Sequence, residues 1–177
     1  MRPLRDSDPQ AYRLITIRTD EARMWMGLSR KVTKLVGGII ARYQEICGII
    51  IYAYSVVSDH YHLLLKAPLG NIDEFEENIN REIARRINWK NKRKGKFWGR
   101  RYDDERVLSE EDLLEGFLYV VTNPIKHGLT TDMNVWTALN SYEQCLTGAD
   151  RTFSFTEYSA HDGPKVTSHQ LKLTPLP

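Results

Sequence analysis

Two histidines separated by one residue are the part of this sequence best suited to chemistry. His60 and His62 flank Tyr61, directly after an apolar, β-branched run and directly before three leucines. Side chains on a β-strand alternate between its two faces, so residues i and i+2 point to the same side. Two imidazoles on one face are a natural pair of metal ligands. The alternative is a pair of half-exposed histidines on an edge strand, which a short motif alone does not exclude.

A tyrosine and an asparagine later in the chain form a second candidate. The residues Ser109 to Asp112 are typical of a capped helix start. Tyr119 and Asn123 follow at positions i and i+4, which share one helical face. The phenol hydroxyl and the amide oxygen would then be presented together. The alternative is that Tyr119 packs on a sheet and Asn123 caps the helix.

The charges are unevenly distributed along the chain. The formal net charge is +2, yet residues 81–101 hold ten lysines and arginines and a single acid, Glu82. Four aromatic residues are interleaved with or follow these charges: Trp89, Phe97, Trp98 and Tyr102. Aromatic rings beside cations suit single-stranded nucleic acid, because they stack on bases while the cations neutralise phosphates. A solvated helix face is the alternative, but the asymmetry favours a polyanionic partner.

The elements that must position these residues follow from the apolar pattern. We expect strands over Tyr12–Arg18, Cys47–Val57, His60–Ala67 and Phe97–Leu108. We expect helices over Leu28–Tyr43, from Asn71 or Asp73 into the basic segment, from Ser109 to a stop or kink at Pro124, and around Val135–Leu146. The second and third strands should form a hairpin. The order β-α-β-β-α-β-α predicts an α+β fold of the ferredoxin-like type, an antiparallel sheet with helices on one face.

Length and composition predict one domain and a cytoplasmic location. The 177 residues suit a domain over 1–148, followed by a loosely ordered tail over 149–177 that is rich in Ser, Thr, His and Pro. No apolar run approaches the roughly 20 residues of a membrane span, and no apolar region follows Met1–Asp6, so a signal peptide is not expected. Cys47 and Cys145 form no disulfide or zinc pattern, which suits a reducing compartment.

Three motifs in a fixed order point to a known family. The first is His60-Tyr61-His62 with its leucines, the second is Gly-Lys-Phe-Trp-Gly-Arg-Arg-Tyr-Asp-Asp over 95–104, and the third is Tyr-Val-Val-Thr-Asn-Pro-Ile-Lys-His-Gly-Leu over 119–129. Together they resemble the single-tyrosine HUH transposases, and most of all their REP-associated branch. The resemblance runs in order from about Tyr12 to Gly148.

The resemblance implies a metal-dependent strand transferase that cleaves and rejoins single-stranded hairpin DNA at palindromic repeats through a 5′-phosphotyrosine. It implies that Tyr119 is the nucleophile and that His60, His62 and Asn123 hold Mg²⁺ or Mn²⁺. A divalent ion would stabilise the charge that develops on the phosphate. Lys126 or His127 would assist proton transfer, and the sequence does not choose between them.

The same resemblance implies that basic side chains follow the DNA backbone. The expected contacts are Arg85, Lys90, Lys92, Arg93 and Lys94, and binding should depend strongly on salt. Arg100 and Arg101 would alternate on the predicted fourth strand, so at most one of them should face DNA. We expect a nucleoid-associated cytoplasmic protein, and the sequence leaves monomer and homodimer open.

Two departures from the family pattern and three alternatives complete the sequence evidence. Asp59 stands where the family usually has asparagine, and it would accept a hydrogen bond from an imidazole N–H. A family motif is stretched over Trp136–Tyr142, which puts the C-terminal contacts in doubt. The first alternative is a domesticated hairpin-binding protein that does not cut. The others are an HUH replication initiator or relaxase, which usually carries further domains, and a ferredoxin-like RNA-binding module, whose RNP-type aromatics are missing here.

Overall fold

The computed structural model describes residues 8–159 and 163–177. The elements in these ranges are β1 (Tyr12–Arg18), α1 (Arg30–Cys47), β2 (Ile50–Val56), β3 (His60–Lys66), α2 (Ile72–Lys90), β4 (Asp103–Val107), α3 (Glu110–Val121), α4 (Asn123–Lys126), α5 (Tyr142–Thr147), β5 (Arg151–Ser159) and β6 (Gly163–Leu171). The start Met1–Asp6, predicted not to be a signal peptide, and residues 160–162 of the predicted tail lie outside the described residues. No helix in the described ranges is long and apolar enough to cross a membrane.

The central sheet has the strand order β2-β3-β1-β4, and each neighbouring pair is antiparallel. The predicted ferredoxin-like α+β fold is therefore confirmed, and so is the hairpin of β2 and β3. Strand β3 lies between β2 and β1, so the histidines are on a central strand. The alternative of an edge strand is wrong, because β1 pairs with β3 along its whole length.

Helices cover both faces of this sheet. Helices α1 and α2 pack with Ile15, Tyr61 and Leu63 in the main apolar core on one face. Helix α3 packs on the opposite face, where Leu113 and Val120 meet Tyr52 and Leu64 in a second, smaller core. The expectation of helices on one face thus holds for α1 and α2 and is wrong for α3. Alternation along β3 explains the difference, since Leu64 points away from Tyr61 and Leu63.

Two predicted elements are shorter than expected. The predicted strand Phe97–Leu108 is reduced to Asp103–Val107, because Phe97 is buried in the core and the indole N–H of Trp98 donates to the carbonyl of Asn80 at 2.9 Å. Arg100 and Arg101 consequently precede the strand and do not alternate on it. The predicted helix over Val135–Leu146 is α-helical only from Tyr142. Ahead of it, the backbone of Leu139 and Ser141 bonds to the outer edge of β2.

The tail predicted to be loosely ordered forms an antiparallel hairpin of β5 and β6. Its buried residues Phe153, Phe155 and Leu171 join the main core and pack on α1. This contact explains the two glycines inside α1. A Cβ at Gly37 would lie 2.5 Å from the ring of Phe153, and one at Gly38 would collide with the carbonyl oxygen of Ser154.

Candidate active site

The histidines lie on the face of the sheet that α3 partly covers. His60 and His62 are only 3% and 4% exposed, and their ring centroids are 5.0 Å apart. Tyr61 points to the other face, where it is completely buried in the main core. The apolar contacts of Tyr61 and its leucine neighbours hold the strand in register, because a shift by one residue would turn both imidazoles into the core.

Each imidazole has one ring nitrogen held by a neighbour. His60 Nδ1 lies 2.7 Å from Asp59 Oδ1, and His62 Nδ1 lies 2.7 Å from Thr16 Oγ1. Thr16 is the β1 residue directly opposite His62, so it shares the face of the histidines. A carboxylate accepts hydrogen bonds and does not donate them, so His60 donates from Nδ1 and keeps the lone pair on Nε2.

The surroundings keep both imidazoles neutral. Burial lowers the pKa of His60, although the hydrogen bond to Asp59 acts in the opposite direction. Burial first, and then the neighbouring His60, His127 and Arg18, lower the pKa of His62 to about 3. A neutral imidazole has the lone pair that a metal ion requires.

The segment from Tyr119 to His127 lies against the histidine pair. The ring centroid of Tyr119 is 5.1 Å from that of His62, and the ring centroid of His127 is 5.2 Å from that of His60. Asn123 lies between these two contacts along the chain and is completely buried. Helix α3 ends at Val121 and α4 begins at Asn123, with Pro124 in its first turn, as the predicted stop or kink requires.

A cation and an open cleft adjoin the tyrosine. Lys126 Nζ lies 4.7 Å from the centroid of the Tyr119 ring. Both residues line an open cleft of about 730 Å³ between β1, β4 and α3. The half-buried Tyr119 side chain is therefore accessible from this cleft.

Three buried side chains here have polar atoms that are available to ligate a metal ion. Nε2 of His60, Nε2 of His62 and both side-chain amide atoms of Asn123 have no hydrogen-bond partner among the described residues. Two neutral imidazoles and an amide oxygen are a donor set that fits Mn²⁺ or Mg²⁺. Within 8–159 and 163–177, no group of three His, Cys, Asp or Glu side chains is arranged to hold a metal. The third candidate donor here is instead an amide.

The cations predicted to bind DNA divide into two groups. Three arginines contact carboxylates, Arg85 with Glu82, Arg100 with Asp103 and Arg101 with Asp73. The guanidinium of Arg93 stacks 3.2 Å from the centroid of Trp25. The lysines Lys90, Lys92 and Lys94 are exposed and pair with no acid in the part of the chain that the structure describes.

The basic segment reaches the histidine site only at one end. Helix α2 covers the opposite face of the sheet, so Arg85 and Lys90 lie on the far side from the imidazoles. The loop after α2 returns to the end of the sheet, where the N–H of Gly99 donates to the carbonyl of Arg18 at 3.0 Å. Arg18 is the β1 residue opposite His60.

Sequence reasoning missed two residues of this site, Thr16 and Arg18. Thr16 contacts His62, and Arg18 Nε lies 3.6 Å from Asp59 Oδ2. The alternation of β1 places both on one face, which is a signal that the sequence contains. The register against β3, which makes them neighbours of the histidines, is not readable from either strand alone.

Two sequence matches relate this chain to known transposases. Residues 10–112 match the family model described as "Transposase IS200 like". The matched segment includes both histidines and stops short of Tyr119 and Asn123. A stretch of 95 residues is 25% identical to a provisionally named REP-associated tyrosine transposase of Haemophilus influenzae, covering 48% of this chain and 54% of the relative. The chain thus spans about half the length of the curated relative it matches.

Two solved structures were matched to this chain. One is a REP-associated tyrosine transposase bound to a REP hairpin, with a TM-score of 0.66 and 17% identity over 84% of this chain and 87% of the other. The second is a provisionally assigned transposase of Deinococcus radiodurans, with a TM-score of 0.46 and 20% identity over 72% of this chain and 97% of the other. At 17% identity, the first match shows a shared fold.

Proposed function

Since the chain belongs to the IS200-like transposase family, we propose that it is a strand transferase that cleaves and rejoins single-stranded DNA at hairpins of palindromic repeats. The observation that carries this proposal is the Tyr119 ring, whose centroid lies 5.1 Å from that of His62, next to a histidine pair whose Nε2 atoms have no hydrogen-bond partner among the described residues. A hydroxyl nucleophile next to a set of metal donors is the arrangement that phosphodiester transfer needs. The solved relative bound to a REP hairpin suggests such hairpins as the first substrates to test.

In the proposed first step, Tyr119 Oη attacks the phosphorus of the scissile phosphodiester and releases its proton, with Lys126 and His127 as the candidate groups for proton transfer. An O–P bond forms to tyrosine, and the bond between phosphorus and the 3′ oxygen breaks, its electron pair leaving with that oxygen. The products are a 5′-phosphotyrosine and a 3′ oxygen that takes up a proton to become a hydroxyl. One phosphodiester replaces another, so attack by a 3′-hydroxyl can later rejoin a strand without ATP.

His60, His62 and Asn123 would hold Mg²⁺ or Mn²⁺. Such an ion, when bound, would stabilise negative charge on the phosphate oxygens. The ligand nitrogens are already oriented in the protein. Asp59 and Thr16 each hold the Nδ1 atom of one imidazole, which directs Nε2 of both rings away from the strand. Asp59 therefore suits the role in which the family usually has asparagine.

Lys126 and His127 are the two candidates for proton transfer. Lys126 Nζ lies 4.7 Å from the Tyr119 ring centroid, next to the proposed nucleophile. His127 is exposed and adjoins His60.

The lysines Lys90, Lys92 and Lys94 are the strongest of the predicted DNA contacts, because no carboxylate in the described residues competes for them. To bind DNA, Arg85, Arg100 and Arg101 would each have to give up an ion pair with a carboxylate for one with a phosphate. Arg93 would have to leave the Trp25 ring, or contact a phosphate while it stays stacked on that ring. We expect binding to weaken steeply as salt is raised, since each bound phosphate releases counterions.

A denaturing gel tests the proposed chemistry. The protein would be mixed with labelled single-stranded oligonucleotides that cover palindromes near its own gene, with Mn²⁺ or Mg²⁺. We expect a metal-dependent adduct that survives SDS and is lost in Tyr119→Phe, which removes only the nucleophilic oxygen. Tyr142→Phe on α5 is the matched control, and it should form the adduct normally.

Two outcomes of the gel experiment would contradict the proposal. Tight hairpin binding with neither adduct nor cleavage under either metal would refute the strand transferase and leave the alternative, a hairpin-binding protein without cleavage activity. An adduct that persists in Tyr119→Phe would assign the nucleophile to another residue.

A further inference from the structure

Cations without acidic partners collect at one end of the two helices on the far side of the sheet. Three are at the start of α1 and three at or after the end of α2, namely Arg30, Lys31, Lys34, Lys90, Lys92 and Lys94. All six are exposed, and none pairs with a carboxylate within the described ranges. By contrast, Arg81 and Arg85 earlier on α2 contact acids on their own helix.

The two groups belong to one surface. Trp25 lies in the segment that precedes α1, and its carbonyl accepts a hydrogen bond from Asn91 Nδ2 at 2.8 Å. The guanidinium of Arg93 stacks on the indole ring of the same tryptophan. The start of α1 is thereby fixed next to the end of α2. Arg30 and Lys34 also line one open groove, of about 690 Å³, together with Arg86 of α2. We name these six cations the α1–α2 basic surface.

Several features of this surface oppose local folding preferences. The first turn of α1 contains Arg30 and Lys31 and no acid, although the N-terminal end of a helix favours negative charge. Lys92, directly after the cap of α2, has a φ of +53°, a conformation in which glycine is favoured. Trp89 is 82% exposed beside these lysines. Residues that lower stability in this way are expected where a ligand binds.

A chain of contacts joins this surface to the histidine site. Arg93 Nη2 donates to the carbonyl of Lys96, and Lys96 Nζ contacts the carbonyl of Gly99. Gly99 bonds to Arg18, whose side chain reaches Asp59 beside His60. The loop after α2 therefore links the α1–α2 basic surface to the histidine end of the sheet.

We propose that the α1–α2 basic surface binds the single-stranded DNA that flanks the hairpin, and this rests on the proposed function. The cations contact successive phosphates, and Trp89 stacks on an unpaired base, which a fully paired stem does not offer. Arg30, Lys31, Lys34 and Trp89 thereby become DNA-binding residues that contribute affinity and leave the chemistry at Tyr119 unchanged.

Fluorescence anisotropy without metal tests this assignment. The probes are labelled DNA stem-loops from the palindromes near the gene, with and without a single-stranded tail. The double variant Lys31→Gln/Lys34→Gln should weaken binding of the tailed probe about tenfold or more at low salt, and should reduce the slope of log K against log salt by about two. The matched control is Lys165→Gln/Lys172→Gln, which removes the same charge from exposed positions of β6 and the segment after it.

Trp89→Ala separates stacking from charge. It should weaken binding of the tailed probe and leave binding of the tailless probe and the salt slope unchanged. Equal losses in the two double variants, or equal losses on both probes, would refute the assignment, as would failure of the wild-type protein to prefer the tailed probe. If tail-dependent binding is intact but no adduct forms in the denaturing gel, the proposed function fails and this inference stands.

Discussion

At the scale of single residues, the two histidines have the same strand but different partners. His60 Nδ1 faces the carboxylate of Asp59, whereas His62 Nδ1 faces the hydroxyl of Thr16. A charged acceptor makes an imidazole a stronger donor to a metal, and a hydroxyl mainly fixes the ring orientation. We infer that Thr16 acts by holding His62 in place, because it contributes no charge.

Thr16→Val tests this positioning role. The substitution keeps the β-branched shape and removes the hydroxyl, so Nδ1 of His62 loses its partner and the ring its fixed orientation. We expect Mn²⁺ to bind about 10- to 100-fold more weakly in isothermal titration calorimetry. Thr16→Ser retains the hydroxyl and should bind Mn²⁺ nearly as the wild type does. Unchanged affinity in Thr16→Val would show that the hydroxyl does not position the ring.

At the scale of elements, helix α1 shows how a local cost serves a tertiary contact. Glycine inside a helix is about 1 kcal/mol less favourable than alanine. At Gly37 and Gly38 there is no room for a side chain, because β5 packs directly on the helix through Phe153 and the backbone of Ser154. The obstacle at Gly37 is a side chain, whereas at Gly38 it is backbone that cannot move away without breaking the hairpin contact.

We predict opposite outcomes for one substitution in two helices. Gly38→Ala should lower the free energy of unfolding by about 1–3 kcal/mol, since the added methyl overpacks against a carbonyl oxygen. Gly116→Ala in α3 should raise it by about 0.5–1 kcal/mol, because its Cβ would meet only the Leu64 side chain, at 3.9 Å, and helix propensity then decides. Urea unfolding measures both. A stabilised Gly38→Ala would mean that β5 does not pack closely on α1.

At the scale of the whole molecule, the C-terminal hairpin is part of the fold. Phe153 and Phe155 are 7% and 5% exposed and Leu171 is fully buried. The side chain of Gln44 on α1 bonds to the backbone N–H and carbonyl of Lys172, and Gln144 Nε2 on α5 donates to the carbonyl of Leu171. Beyond the hairpin, the N–H of Thr174 donates to the carbonyl of Ile51 at the outer edge of β2. These contacts cover an edge that would otherwise be open to other strands.

A chain shortened to residues 1–149 should therefore be strongly destabilised. Removing the three buried side chains forfeits about 5 kcal/mol of apolar burial, which is comparable with the whole stability of many domains. We expect a large fall in the urea midpoint, or no cooperative transition. A chain that ends at residue 171 keeps the hairpin and should lose much less. Cooperative unfolding of 1–149 with the free energy of the full chain would instead support an independent domain that ends at residue 148.

Features that depend on short spacing along the chain could be predicted without the structure. Alternation placed both imidazoles on one face of β3, and the capping residues and Pro124 bounded the helix that carries Tyr119. The element order was sufficient for the ferredoxin-like fold. Alternating Phe153 and Phe155 were also a strand signal, but the polar composition around them concealed it.

Tertiary structure alone decided which of these residues meet. The approach of Tyr119 to His62, the pairing of Thr16 with His62 and the docking of β5 on the glycines of α1 all join residues far apart in sequence. Which of the basic residues are free was decided in the same way, because Arg101 meets its acid, Asp73, from another element. The alternation of residues along a strand determines the face on which a side chain lies, whereas strand register and packing determine which side chains it contacts. The chemistry of the site depends on those contacts.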